Sequence, residues 1–348
     1  MGTGISENRL ASQWVPLPQR RLGHAVEVPL LEDPADVLRH QALTVWPIRV
    51  LLVLAALAAA TGCGGNAGES GTPASNRTLS DRLVDFSKKP PYVNALDVDP
   101  ATGDYLLTTN RGFWRIDPDT DEVERVTGKV TADGGSSPIG TFLELLVTGP
   151  GQLLGSGHPD SKAELPPYLG LIASDDGGAN WRVVSRLGEA DLHKILVRHD
   201  RMYAIDAVLA AVLISGDGGR TFTEQFTPRD QVLIDLEVDP GNPDHLFGST
   251  ESQLYRSQDG GKTWRPADSG DRIRLVWPAQ DAFYRADQDG TVHRSGDGGL
   301  RWEEVGTVPG EPYKFKALDT EHLLLALSDG TVVETKDGAR TWTEAFRP

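Results

Sequence analysis

An eight-residue string, SQDGGKTW at 257–264, returns four more times in near copy: SDDGGANW (174–181), SGDGGRTF (215–222), SGDGGLRW (295–302) and TKDGARTW (335–342). Its aspartates, Asp176, Asp217, Asp259, Asp297 and Asp337, follow one another at intervals of 41, 42, 38 and 40 residues. A period near forty marks a chain made of one supersecondary unit that cannot bury its apolar face alone and must stack on its neighbours. Inside each unit, short runs such as LIDLEVD (233–239), HLFGST (245–250) and QLYR (253–256) are divided by Gly, Asp, Asn and Pro. They read as four strands, which is one blade of a β-propeller.

The predicted fold is therefore all-β, a single β-propeller over 79–348 with six blades of four antiparallel strands. The blades are placed at 92–128, 139–187, 192–228, 232–268, 272–307 and 312–347. A seventh would require LSDRLVDF (79–86) to supply more than a closing strand. The octet falls between the third and fourth strands as a hairpin turn. Its Asp accepts backbone N–H groups, its Gly pair permits positive φ, and its Ser or Thr ties the other side of the turn. Its Trp or Phe starts the fourth strand and buries its ring between sheets. On this reading the five aspartates staple the fold and carry no chemistry.

Ahead of the repeats, Val50–Thr61 forms an apolar run preceded by Arg49, shorter than the roughly 20 residues a spanning helix needs. It reads as the core of a signal peptide over 45–62. The tetrad Ala60, Thr61, Gly62, Cys63 resembles a bacterial lipobox, with Cys63 as the lipidated first residue of the mature chain, although Ala60 stands where Leu is usual. Gly64–Thr78 is rich in Gly, Ser, Thr, Pro and Asn, and 63–78 is expected to be a flexible tether. The region 1–44 is expected to be an upstream extension, with translation starting near Val45. These features place the propeller at the cell membrane, lipid-anchored on the extracytoplasmic face.

Composition narrows the function. A net charge of −16 argues against nucleic acid, which is bound by clustered Lys and Arg. Cys63 is the sole cysteine, so no intrachain disulfide or cysteine-based metal cluster can form.

The five octets resemble the Asp-box, or BNR repeat, of the propellers that include sialidases, sortilin-type receptor ectodomains and a photosystem II assembly factor. The chain looks most like bacterial exported propeller lipoproteins described as glycosyl-hydrolase-like or exo-sialidase-like. GSGHPD (155–160) and LGEADLH (187–193) resemble that group's pattern. A His-x-His-Gly usual there is replaced by YVNA (92–95), with Asn94 at the second His. The sialidase mechanism that the resemblance brings to mind needs three clamping arginines, and the nearest string to its Arg-Ile-Pro is WRIDP (114–118), on a strand of the wrong kind.

A site is expected on the face opposite the octets. GSGHPD is expected after the second strand of blade two and LGEADLH before the first strand of blade three. Together they would gather His158, Asp160, Glu189, Asp191 and His193, with Asn94, Asn110 and Arg111 from blade one. His158, Asp160 and His193 are of the type that ligates a divalent metal. His158, Asp160, Glu189 and Asp191 are the candidate acids and bases. The plain alternative is that these side chains satisfy loop backbone. The leading expectation is a monomeric binding or assembly module that takes a protein or glycan ligand at its channel face. The alternative is a glycoside hydrolase.

Overall fold

In a computed structural model the described residues are 93–347, excepting 121, 133–134 and 229–230. The regions 1–44, 45–62 and 63–78, with Cys63, and the strand proposed at 79–86 lie outside them. The described residues form twenty-five strands and no helix. Blade one is β1–β4 (Val93–Val98, Tyr105–Thr109, Gly112–Ile116, Val123–Val126). Blade two holds β5–β9 (Lys129–Ala132, Gly135–Gly149, Gln152–Pro159, Leu171–Ser174, Asn180–Ser185), and blade three β10–β13 (Leu192–Arg198, Arg201–Asp206, Ala211–Ser215, Thr223–Phe226). Blade four is β14–β17 (Asp235–Asp239, Asn242–Ser249, Gln253–Ser257, Arg265–Ser269) and blade five β18–β21 (Arg274–Ala279, Ala282–Ala286, Thr291–Ser295, Glu303–Thr307). Blade six is β22–β25 (Pro312–Ala317, Leu323–Leu327, Val332–Thr335, Thr343–Phe346).

The first strands β1, β6, β10, β14, β18 and β22 pack successively against one another, and β22 returns to β1. The expected six blades are thus present. Blade two differs from the expected four strands: β5 pairs antiparallel with β6 and parallel with β9, closing that sheet on itself.

Apolar packing lies between blades. Six buried clusters occupy the six blade interfaces, and the aromatic of each octet packs into the interface with the preceding blade: Trp181, Phe222, Trp264, Trp302 and Trp342. Blade one has no octet, and there Trp114 of β3 packs against the interface with blade six. That last interface joins Val93, Leu96 and Ile116 to Leu324, Ala326 and Val332. Among the described residues no strand is shared across it, and side chains make the contact between the two blades.

The octets are built as their residue types require. Ser257 Oγ donates to Asp259 at 2.8 Å, Gly261 N donates to Ser257 Oγ at 2.8 Å, and Thr263 N donates to Asp259 at 2.9 Å. The other four repeat this pattern. These donors hold the Asp259 and Asp337 carboxyls down to about 2, the Thr263 and Thr341 hydroxyls contributing most. Gly219 has φ of +82°, and a Cβ there would stand 2.2 Å from Leu171, so both backbone and space demand glycine.

Candidate functional site

Two faces follow from the turn contacts. Octet backbone meets the turn between first and second strands in the same blade, as in Gly260 N to Asp244 O (3.0 Å) and Gly338 N to Glu321 O (3.0 Å). On the opposite face, in blades three, five and six the link into the first strand meets the turn between second and third strands, as in Ala207 N to Asp191 O (2.9 Å).

On that opposite face, His158 at the end of β7 and His193 at the start of β10 converge on Asp191. His193 Nε2 lies 3.1 Å from Asp191 Oδ2, and His158 Nε2 lies 3.8 Å from Asp191 Oδ1. His158 Nδ1 is 2.7 Å from Pro167 O, and a carbonyl can only accept, so Nδ1 carries the proton. In the neutral ring Nε2 then has a lone pair toward the carboxylate. Asp191 Oδ1 is buried and has no hydrogen-bond partner among the described residues.

The remaining candidates are engaged elsewhere. Asp160 opens the loop after β7, accepting from Lys162 N at 2.9 Å. Glu189 is 68% exposed and lies 3.8 Å from Arg186. Asn94 is buried and donates to Phe142 O at 2.7 Å, tying β1 to β6. Arg111 lines an apolar groove of blade one with Trp114 and Phe346. The structure therefore brings together His158, Asp191 and His193, and among the described residues no hydrogen bond or ion pair joins Asp160, Glu189 or Asn94 to them. Among the described residues no group of three His, Cys, Asp or Glu side chains is placed to hold a metal ion; Asp160 turns back to its own loop rather than toward the two histidines.

GSGHPD is also placed differently. Gly155–Pro159 belongs to β7, and the loop starts at Asp160. Glycine usually weakens a strand and reads as loop, but a Cβ at Gly157 would fall 2.0 Å from Thr141 O. The glycine is there for close backbone approach.

Sequence reasoning expected a channel face but missed the charged lining of the channel. First strands enclose a cavity of about 550 Å³ whose walls carry Asp97, Glu144, Lys194, Glu237, Lys314 and Lys316. Lys194 Nζ lies 2.8 Å from Asp235 and 3.7 Å from Glu237; Lys314 reaches Glu144 at 3.2 Å, and Lys316 reaches Asp97 at 2.7 Å. The last two pairs join blade six to blades two and one. Lys314 also donates to His193 O at 3.4 Å, which puts the histidine cluster at the channel mouth. Arg198 donates to Val238 O and Trp277 O at 2.9 and 2.8 Å.

Burial is the largest single influence on these groups, but at two of them the neighbouring charges and hydrogen bonds together overcome it. It pushes the Glu144 and Glu237 carboxyls up despite the nearby lysines. It would raise Asp235 as well, but Lys194 outweighs it and the carboxyl is held low. Burial opposes the Lys194 charge, yet Asp235 and Glu237 overcome it and raise the ammonium. The available signal was charge at alternate positions of otherwise apolar first strands, in HKILVR, DLEVD and YKFKA.

The fold is a β-propeller whose blades carry BNR-type repeats. Residues 220–347 match a family model described as photosynthesis system II assembly factor YCF48. No curated protein sequence matches the chain. Solved structures similar to it include YCF48 from Cyanidioschyzon merolae, at 15% identity over 71% of this chain and 96% of that one, TM-score 0.47. Another is titled YCF48 bound to D1 peptide, at 12% identity over 71% and 94%, TM-score 0.49. An ancestral GH74 enzyme is similar at 13% identity over 74% of this chain and 38% of its own, TM-score 0.49.

Proposed function

We propose that the chain is a binding or assembly module that takes a protein ligand at the channel mouth on the face opposite the octets. One observation carries this: of the candidate acids and bases, only His158 and Asp191 meet, and the neighbouring carboxylate, Asp206, is fully buried and accepts the backbone N–H groups of Asp191 and Val208 at 3.2 and 2.9 Å, out of a substrate's reach. Glycoside hydrolysis by the usual route takes two carboxyl groups flanking the scissile bond. The channel carboxylates are paired with lysines in turn, which suits a preorganised wall better than a proton donor. The match of 220–347 to a family described as an assembly factor supports the same reading. The leader and lipobox-like tetrad add to it a lipid anchor at Cys63, holding the module on the extracytoplasmic face of the membrane.

A photo-cross-linker at His193, which is 45% exposed, tests the mouth against one at Thr263 on the octet rim. A partner captured in the cell envelope from position 193 alone is the expected result. Turnover of a glycan that disappears in Asp191→Asn would establish the hydrolase instead. Cys63→Ser is expected to release the protein from the membrane fraction, and continued attachment would remove the anchor from the proposal.

A further inference from the structure

In four octets the side chain of the seventh residue returns to the octet carboxylate. Asn180 Nδ2 donates to Asp176 at 2.7 Å, and the hydroxyls of Thr221, Thr263 and Thr341 donate to Asp217, Asp259 and Asp337 at 2.7, 2.6 and 2.6 Å. The octet of blade five has Arg301 in that place. Its backbone N–H still donates to Asp297 at 2.9 Å, so the turn closes without the side chain and the guanidinium is left over.

Arg301 lines a cleft of about 520 Å³ on the octet rim between blades five and six, together with Arg294, Arg340 and Tyr284. Arg294 lies over the Tyr284 ring at 5.8 Å, and the Tyr284 hydroxyl donates to Thr320 O at 2.7 Å. Arg340 donates one N–H to Asp337 O at 2.6 Å. Asp297, Glu303 and Glu321 share the walls. Even so, among the described residues no carboxylate oxygen lies within 4.0 Å of the three guanidiniums.

The three carboxylates on the walls balance the three guanidiniums in net charge, but none stands close enough to pair with their donor forks. A guanidinium presents a planar fork of donors that matches carboxylate and phosphate oxygens in pairs. A repeat that gives up a hydrogen bond kept by its four sister turns marks a place where the scaffold is used for something else. We propose that this cleft is an oxyanion site, for a carboxylate or a phosphate group, with Arg301 and Arg294 as its main donors and Arg340 as the third wall. It lies on the rim opposite the channel mouth and stands independently of the reading proposed for that mouth.

Calorimetric titration of the full chain with inorganic phosphate and, separately, with hexaglutamate tests the site. Saturable binding of one probe at low ionic strength is expected, and the probe that saturates tells free phosphate from side-chain carboxylates. Arg301→Thr restores the seventh-position Thr found in the octets of blades three, four and six, so it should fold as the wild type does while binding about tenfold more weakly. Salt at about 0.3 M should weaken the wild type in the same direction. Failure of both probes to saturate, or an Arg301→Thr titration equal to that of the wild type, would overturn the proposal.

Discussion

Blade three folds Leu192–Phe226 into four strands and little else, whereas blade two uses Lys129–Ser185 for the same four strands, a fifth strand and a long loop. The fifth strand changes what the shared repeat can bury. In blade three the octet aromatic, Phe222, stays partly exposed at the interface. In blade two β5 runs along β9 with Val130 opposite Trp181, and Trp181 is left 2% exposed with its Nε1 donating to Gly178 O at 2.7 Å. The turn is common to both blades, but only where a further strand covers the rim does its aromatic become full core. The same irregular blade supplies His158 to the cluster at the channel mouth, and the regular blade supplies Asp191 from its entry link and His193 from the start of β10. A repeat that departs from its pattern meets one that keeps it, and the titratable cluster forms at their junction.

Truncating the two aromatics is the sharpest way to break the comparison. Trp181→Ala should cost about 3–5 kcal/mol, the range for emptying a large, fully buried site. Phe222→Ala should cost about 2 kcal/mol, because water already reaches part of the ring. Equal losses in denaturant melts would mean that β5 seals nothing.

The next effect compares channel ion pairs from the same two blades. Lys194→Met takes from the buried Asp235 and Glu237 carboxylates the cation that pairs with them and should cost about 3 kcal/mol. Glu144→Gln in blade two leaves Lys314, which is 23% exposed and can turn to water, at about 1 kcal/mol. A larger loss for Glu144→Gln would put the ring closure, rather than the centre of the wall, in control of stability.

Smaller again is the octet aspartate. Asp259→Ala removes acceptors from a turn and should cost about 1 kcal/mol, as the loss of a side-chain cap does. The same hydrogen bonds set a pH dependence. The Asp259 and Asp337 carboxyls are held at about 2 in the folded chain, below the ordinary value of about 3.9. Their contribution is complete above that ordinary value and is lost as pH falls from about 4 through about 2. Stability measured across that window should fall less steeply in Asp259→Ala than in wild type.

The smallest effect is expected at Ala339, which takes φ of +73° where the other four octets have glycine. Ala339→Gly relieves left-handed strain worth about 1 kcal/mol but removes a buried methyl worth about 0.8 kcal/mol. The melting temperature should therefore move by no more than about 2 °C in either direction.

Much of this architecture was legible in the residues. The spacing of Asp176, Asp217, Asp259, Asp297 and Asp337 counts five blades, and the strand pattern around 92–126 supplies the sixth. Loop chemistry was legible only in part. Asp191 ends the entry link and His193 stands two residues on in β10, so their pairing is local, and the position of His158 followed from the face rule for propellers. Asp160 and Glu189 shared that face, but an aspartate beginning a loop finds backbone N–H groups nearer than any distant partner, and Asp160 takes that of Lys162. Strand β5 was not legible, because Lys129–Ala132 is short and pairs in parallel with residues some fifty positions away.

What the sequence by itself determined is the repeating unit: a hairpin turn whose Asp, Gly and Ser satisfy one another within eight residues folds the same way wherever it occurs. The identity of blade interfaces follows, since the aromatic after each turn has one place to go. Only the tertiary structure decided which charges face one another in the channel. Lys314 meets Glu144 and Lys316 meets Asp97 across more than 160 residues of chain, and such pairs exist only once the ring has closed and burial has made an unpartnered charge too costly to keep.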